Sequence, residues 1–418
     1  MNAPPPDKPR RVNIRTEDGL QRVDVEVISH YRSDLVENVR KSGGILTVDN
    51  TTIRLAKEFG FCYGVERAID LAYAAKRVFS DRNLYLLGEI IHNPEVNRQL
   101  DEMGIISIPV AEQAEKLKTL TPQDVVIVPA FGAETHLMDI IKERGSLVVD
   151  TTCGDVMNVW KRVRSYAKQA YTSIIHGKSS HEETRATASR ALGDQGNGHY
   201  LVVLTLDDVD YVCNYIRHGG NKDEFLARFH DEAVSPGFDP DLHLERVGVA
   251  NQTTMLKSET EEIQRRVRQA VLDRDGEELA VENFQVFDTI CGATQERQDS
   301  LFEMLKKPMD LLLVVGGYNS SNTAHLVEIG EKELPTFFIR TSACLKSFSE
   351  IVHFDLHHKE ERTSYTEKLA SPEPIIIGIT AGASCPNNLI EETILRVCEL
   401  RGIAPERVLQ QAAKAAVA

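Results

Sequence analysis

Asp150-Thr151-Thr152-Cys153-Gly154 and Asp288-Thr289-Ile290-Cys291-Gly292 spell the same D-T-x-C-G. Each follows a short apolar run and precedes a stretch of helical periodicity. A third cysteine stands in Phe59-Gly60-Phe61-Cys62-Tyr63-Gly64. It too lies between a strand-like run, Ile53–Ala56, and an amphipathic stretch with Val65, Ala68, Ile69 and Ala72 on one face. The three cysteines are 91 and 138 residues apart. Segment 207–245, rich in Asp, Glu, His and Gly, breaks the pattern and reads as a projecting insertion with a helix or two. Without it the second interval approaches the first. One cysteine at the same point of three comparable units marks an internal repeat.

Around these motifs, short β-branched or apolar runs alternate with helical periodicity. They are Leu84–Leu87, Val125–Val128, Leu147–Val149, Ser173–Ile175, Tyr200–Leu204, Val247–Val249, Leu311–Val315 and Ile375–Ile379. Alternation at this spacing predicts βαβ units with parallel sheets, an α/β fold. The boundaries follow: an N-terminal extension 1–45 with a helix over 29–41, then α/β domains 46–152, 153–290 and 291–402. A helical tail, 403–418, is expected at the periphery. The first strand, about 50–62, is a candidate for the third domain's sheet.

With 48 Lys and Arg against 63 Asp and Glu, the chain carries a net charge of -15. Such a surface repels nucleic acid and anionic membrane, so an anionic substrate needs local donors. No apolar run reaches the length of a membrane span, and the N-terminus lacks a secretory apolar core. A cytoplasmic protein is expected. The seven cysteines contain no C-x-x-C and suggest reduced thiols.

A thiol between a strand end and a helix N-terminus meets free N–H groups and a positive dipole end, which favour thiolate. Three readings stay open here: small buried side chains, a zinc ion with three thiolates, or an iron–sulfur cluster with one iron lacking a protein ligand. The other strand ends carry polar loops. These are Gly88–Glu95 with His92, Ile175–Thr184 with Lys178, His181 and Glu183, Ala250–Thr254 with Thr253, Gly316–Thr323 with Ser320, Ser321 and Asn322, and Thr380–Pro386 with Ser384. Hydroxyls, amides and imidazoles at helix starts form anion cradles as well as caps, and a diphosphate is the natural guest. Neither G-x-G-x-x-G opening a helix nor a P-loop occurs, so electrons would arrive from outside.

In order, F-G-F-C-Y-G-V-E-R-A-I, G-E-I-I-H-N-P, D-T-T-C-G, H-E-E, Q-T-T, I-C-G-A-T-x-x-R-Q, N-S-S-N and T-A-G-A-S-C-P resemble the 4-hydroxy-3-methylbut-2-enyl diphosphate reductase family. The likeness runs from about Ile53 to Leu400. The long N-terminus and the insertion resemble the plant and cyanobacterial type. The resemblance implies a trefoil of three pseudo-threefold-related α/β domains around a central iron–sulfur site. It implies one [4Fe-4S] cluster on Cys62, Cys153 and Cys291, with one open iron. It implies substrate contacts from His92, His181, Thr253, Ser320, Ser321, Asn322 and Ser384, with Glu183 as proton donor. The reaction implied is the last step of the methylerythritol phosphate pathway: two-electron reductive dehydroxylation of an allylic diphosphate to isopentenyl and dimethylallyl diphosphate. The electron donor would be ferredoxin or flavodoxin, and the chain a monomer or homodimer. One departure matters: many bacterial members have A-H-G where this chain has Ala130-Phe131-Gly132, so one histidine contact is missing, with His136 the nearby candidate to replace it. A three-domain dehydratase of the quinolinate synthase kind and a zinc-stabilised binding module are the alternatives.

Overall fold

The structure is a computed structural model that describes residues 30–287, 289–347, 349–369 and 372–417. Asp288 of the second D-T-x-C-G, the start of the N-terminal extension and Ser29 of its expected helix lie outside them. The chain divides into two compact units, one built on Ala75–Ile90 and Met103–Cys291, the other on 30–74, Ile91–Glu102 and 292–417.

The first unit holds two four-stranded sheets. One runs Ile106–Ile108, Leu84–Leu87, Val125–Val128, Leu147–Asp150, every pair parallel. The other runs Phe284–Val286, Val247–Asn251, Thr172–His176, Tyr200–Val203, again all parallel. The second unit has a five-stranded sheet, Ile45–Val48, Thr51–Leu55, Ile375–Ala381, Leu311–Val315, Thr336–Ile339, parallel except for its first pair. Central strands such as Val125–Val128 and Leu311–Val315 are buried at every residue. Such unbroken apolar runs mark parallel strands covered on both faces.

The three sheets share one plan. Numbered by chain order, the four strands of each first-unit sheet lie 2-1-3-4. In the second unit the parallel strands follow the same order once Leu311–Val315 is taken as first and Thr51–Leu55 as fourth. That fourth strand comes from the other end of the chain and pairs with Ile375–Ala381. Each of the three cysteines follows the fourth strand of its sheet.

Two expectations are corrected. Segment 207–245 does not project as an insertion. Its helix Leu206–His218, started by a Thr205–Asp208 capping box, packs against the helix Lys257–Asn283. Val209, Val212, Cys213, Phe225, Phe229 and Phe238 enter one core with strand residues Ile174, Leu201 and Val249. The polar composition hid an apolar stripe at helical spacing. The tail is not peripheral either. The helix Pro405–Ala415 packs on the helix Asp34–Lys41 and the strand Ile45–Val48, with Val408 fully buried. Full burial of such a side chain stabilises by about 1.5–3 kcal/mol. Among the described residues no helix is long and apolar enough to cross a membrane.

Candidate functional site

In a 2-1-3-4 sheet the chain turns opposite ways from strands 1 and 3, leaving a crevice beyond their carboxyl ends where ligands bind. Six loops occupy such positions. After the first strands come the loops of His92, of His181 with Glu183, and of Ser320 to Asn322. After the third strands come Ala130-Phe131, Gln252-Thr253 and Ala383-Ser384. Every expected substrate residue lies on one of them.

In the first unit the carboxylate of Glu183 is 3 % exposed. It sits in the first turn of the helix Glu182–Ala191, where the dipole favours negative charge. His181 caps that helix, its Nδ1 accepting from the Glu183 N–H at 3.2 Å. Thr253 donates twice to Glu183, backbone N–H to Oε1 at 2.6 Å and hydroxyl to Oε2 at 2.9 Å. Gln252 locks the neighbouring strand end: its Oε1 accepts from the Lys178 N–H and the Thr184 hydroxyl, and its Nε2 donates to Thr254. A buried carboxylate joined to a hydroxyl at a ligand crevice has the chemistry to exchange a proton with a ligand. The Lys178 side chain is exposed.

Phe131 sets its ring edge-on to the His181 imidazole, with centroids 6.4 Å apart. It supplies shape and no donor. His136 is 56 % exposed beside Glu134 and points to solvent chemistry rather than to a replacement. Two residues unnoticed in the sequence hold the Phe131 loop. Arg190, buried, lies 3.3 Å over the Trp160 ring and donates to the carbonyls of Ala133 and Ala186. Gly132 has φ +83°, and a Cβ there would come within 2.3 Å of Trp160. The Gly after Phe131 was the available signal.

In the second unit Ser320 caps the helix Ser321–Gly330, accepting from the N–H and hydroxyl of Thr323. Ser384 donates toward Ser320 Oγ at 3.4 Å and toward the His92 carbonyl at 3.2 Å. Asn319 Nδ2 and His92 Nδ1 are 3.4 Å apart. Asn93, also missed, ties this loop to the Ser384 carbonyl at 2.9 Å. Asn322 is 2 % exposed; its Oδ1 accepts from the Ala383 N–H, while its buried Nδ2 has no partner among the described residues. An orphaned buried donor costs about 1–3 kcal/mol unless a ligand takes it. Hydroxyls and amides converging here suit an anionic oxygen.

The cysteines separate into two sets. Cys213, Cys344, Cys385 and Cys398 are buried, whereas Cys62, Cys153 and Cys291 are half-buried. Burial pushes the Cys213 thiol up to about 11 and Cys398 to about 12, and Cys385 upward as well. Burial favours the protonated form of those three thiols. Cys153 caps the helix Gly154–Lys168, and Cys291 directly precedes the helix Gly292–Leu305. The Cys153 N–H donates to the Ala130 carbonyl at 2.8 Å, and the Cys62 N–H to that of Ala383 at 3.2 Å. Equivalent cysteines thus hang from equivalent loops. The donor set suits a thiolate-bound metal group.

A model of the LytB protein family matches residues 53–398. Among similar proteins named "4-hydroxy-3-methylbut-2-enyl diphosphate reductase", that of Thermosynechococcus vestitus is 44% identical over 92% of this chain and 93% of its own. That of Gloeobacter violaceus is 46% identical over 91% and 90%. A solved structure of "(E)-4-Hydroxy-3-methyl-but-2-enyl Diphosphate Reductase, the Terminal Enzyme of the Non-Mevalonate Pathway" is 26% identical, covers 83% of this chain and 99% of that one, and superposes with a TM-score of 0.51. The reductase from Plasmodium falciparum, 22% identical with a TM-score of 0.60 over 84% of this chain and 90% of that one, shares the fold. Repeated 2-1-3-4 sheets, a cysteine after each fourth strand and a match over most of the length agree: this chain belongs to the LytB family.

Proposed function

We propose that this chain is a 4-hydroxy-3-methylbut-2-enyl diphosphate reductase, an oxidoreductase that makes isopentenyl and dimethylallyl diphosphate in the cytoplasm. The carbon–oxygen bond of the allylic alcohol breaks; two electrons and two protons enter, and water leaves. The observation that carries the reading is the buried Glu183–Thr253 pair at the crevice of one sheet, in a chain whose three sheets each add a cysteine after the fourth strand.

Cys62, Cys153 and Cys291 are the proposed ligands of one [4Fe-4S] cluster with an open iron. Such a group, when bound, supplies electrons and polarises the leaving oxygen. The protein's own residues do the rest. Ser320, Asn322 and Ser384 receive diphosphate oxygens through hydroxyl and amide donors, with Ser321 and His92 beside them, and His181 is a further proposed substrate contact. Thr253 passes protons between Glu183 and the substrate. Phe131, packed on His181, keeps water from that side. An external carrier, ferredoxin or flavodoxin, delivers electrons, since no nucleotide fingerprint is present. The test is anaerobic reconstitution with iron and sulfide, then turnover with reduced methyl viologen, products separated by chromatography. A reconstituted protein that forms neither product refutes the assignment.

A further inference from the structure

We infer that a basic groove beside the Cys62 loop is the docking surface for a small acidic electron-transfer protein, an inference that rests on the reductase reading. The groove encloses about 570 Å³ and lies wholly within the second unit. Its walls carry Arg40, Arg54, Lys57 and Lys307 against two acids, Glu58 and Glu303. Glu303 is engaged by Lys306 and Arg40 by Glu37, which leaves Arg54, Lys57 and Lys307 facing Glu58. Among the described residues no hydrogen bond or ion pair engages the side chains of Arg54, Lys57 or Lys307, and the buried Arg54 Nε has no partner.

This concentration of cations sits on a chain of net charge -15. The whole surface repels an acidic protein; a local basic patch focuses it to one place and orients it. Redox encounters use small, charge-guided interfaces rather than large apolar ones. Ile45, Leu55, Ala56 and Met304 contribute apolar lining beside these cations.

Its position suits electron delivery. Lys57 and Glu58 lead directly into Phe59-Gly60-Phe61-Cys62. Arg40 donates to the Phe59 carbonyl at 2.9 Å and stacks 4.1 Å over its ring. Arg297, buried, donates to the Gly60 carbonyl at 2.6 Å. The opposite wall, with Glu303 and Lys307, belongs to the segment running on from Cys291. A carrier seated here rests on two segments that each lead to a proposed cluster ligand. It brings one electron per encounter, so two encounters complete one turnover.

The test measures the Kd of oxidised plant-type ferredoxin, an acidic [2Fe-2S] protein, for the reconstituted chain by calorimetry at low salt. Lys57→Glu with Lys307→Glu should weaken Kd at least about tenfold, while Lys57→Arg with Lys307→Arg restores it. If the reversed pair does not fold, Lys57→Gln with Lys307→Gln should still weaken Kd by roughly threefold. Turnover with dithionite should not change in any of them. An unaltered ferredoxin Kd overturns the inference. So does loss of inorganic pyrophosphate binding with ferredoxin binding retained, which assigns the groove to small anions. Failure of the reductase reading shows separately, as a wild-type chain inactive with dithionite, and the binding comparison decides the groove either way.

Discussion

The loops Val128-Pro129-Ala130-Phe131 and Ala381-Gly382-Ala383-Ser384 hold the same place in two sheets and end differently. Both follow a third strand, and both give an alanine carbonyl to the N–H of a half-buried cysteine. The next residue is an inert phenyl ring in one and a hydrogen-bonded hydroxyl in the other. The third sheet puts Thr253 there, bound to Glu183. The scaffold is repeated because parallel strands and backbone bonds tolerate many side chains. The side chains are not repeated: a phenyl ring, a serine hydroxyl and a carboxylate-bound threonine end the three loops with different chemistry.

Replacing the cysteine that hangs from either loop should have the largest effect. Cys153→Ser or Cys62→Ser is expected to abolish turnover and lower bound iron, whereas Cys398→Ala leaves iron content intact. Iron and sulfide analysis decides; equal iron in all three would break the division between the two cysteine sets. Glu183→Gln keeps the charge-free shape but cannot release a proton. Turnover should drop by about 10²–10⁴-fold with the iron unchanged. Full turnover there removes the proton role and leaves Thr253 a structural bond only.

Ser384→Ala tests the hydroxyl loop. One lost hydrogen bond to a charged oxygen is worth about 1.5–3 kcal/mol, or roughly 10- to 100-fold in kcat/KM. Phe131→His tests the phenyl loop by placing an imidazole donor there. A change of only a few-fold in KM is expected, since the proposed hydroxyl and amide contacts stay in place. A Phe131→His effect larger than that of Ser384→Ala would reverse the ranking of the two loops.

Much of this was legible from local pattern. Apolar runs marked the central strands because a strand buried on both faces must be apolar throughout, and Asp150–Gly154 with Asp288–Gly292 exposed the repeat. Other features hid for stated reasons. The strands Ile106–Ile108 and Thr336–Ile339 are too short to show a period, and in the hairpin Glu350–Asp355 with Glu360–Tyr365 the second strand is exposed and polar. The helix Leu206–His218 looked like insertion because the Asp, Glu, His and Gly residues of segment 207–245 masked its apolar stripe. Arg190 gave no signal, since a buried guanidinium is recognised only by the carbonyls and rings around it.

By itself the sequence determined the element types, the three recurring cysteines and the ordered motifs, all properties of neighbouring residues. Tertiary structure alone decided that Thr51–Leu55 completes a sheet with Ile375–Ala381, that Thr253 grips Glu183, and that Ala130 and Ala383 perform one task. These join residues from about 20 to more than 300 positions apart. Pairing over such separations depends on which loops close and what they bury, information that no local window contains.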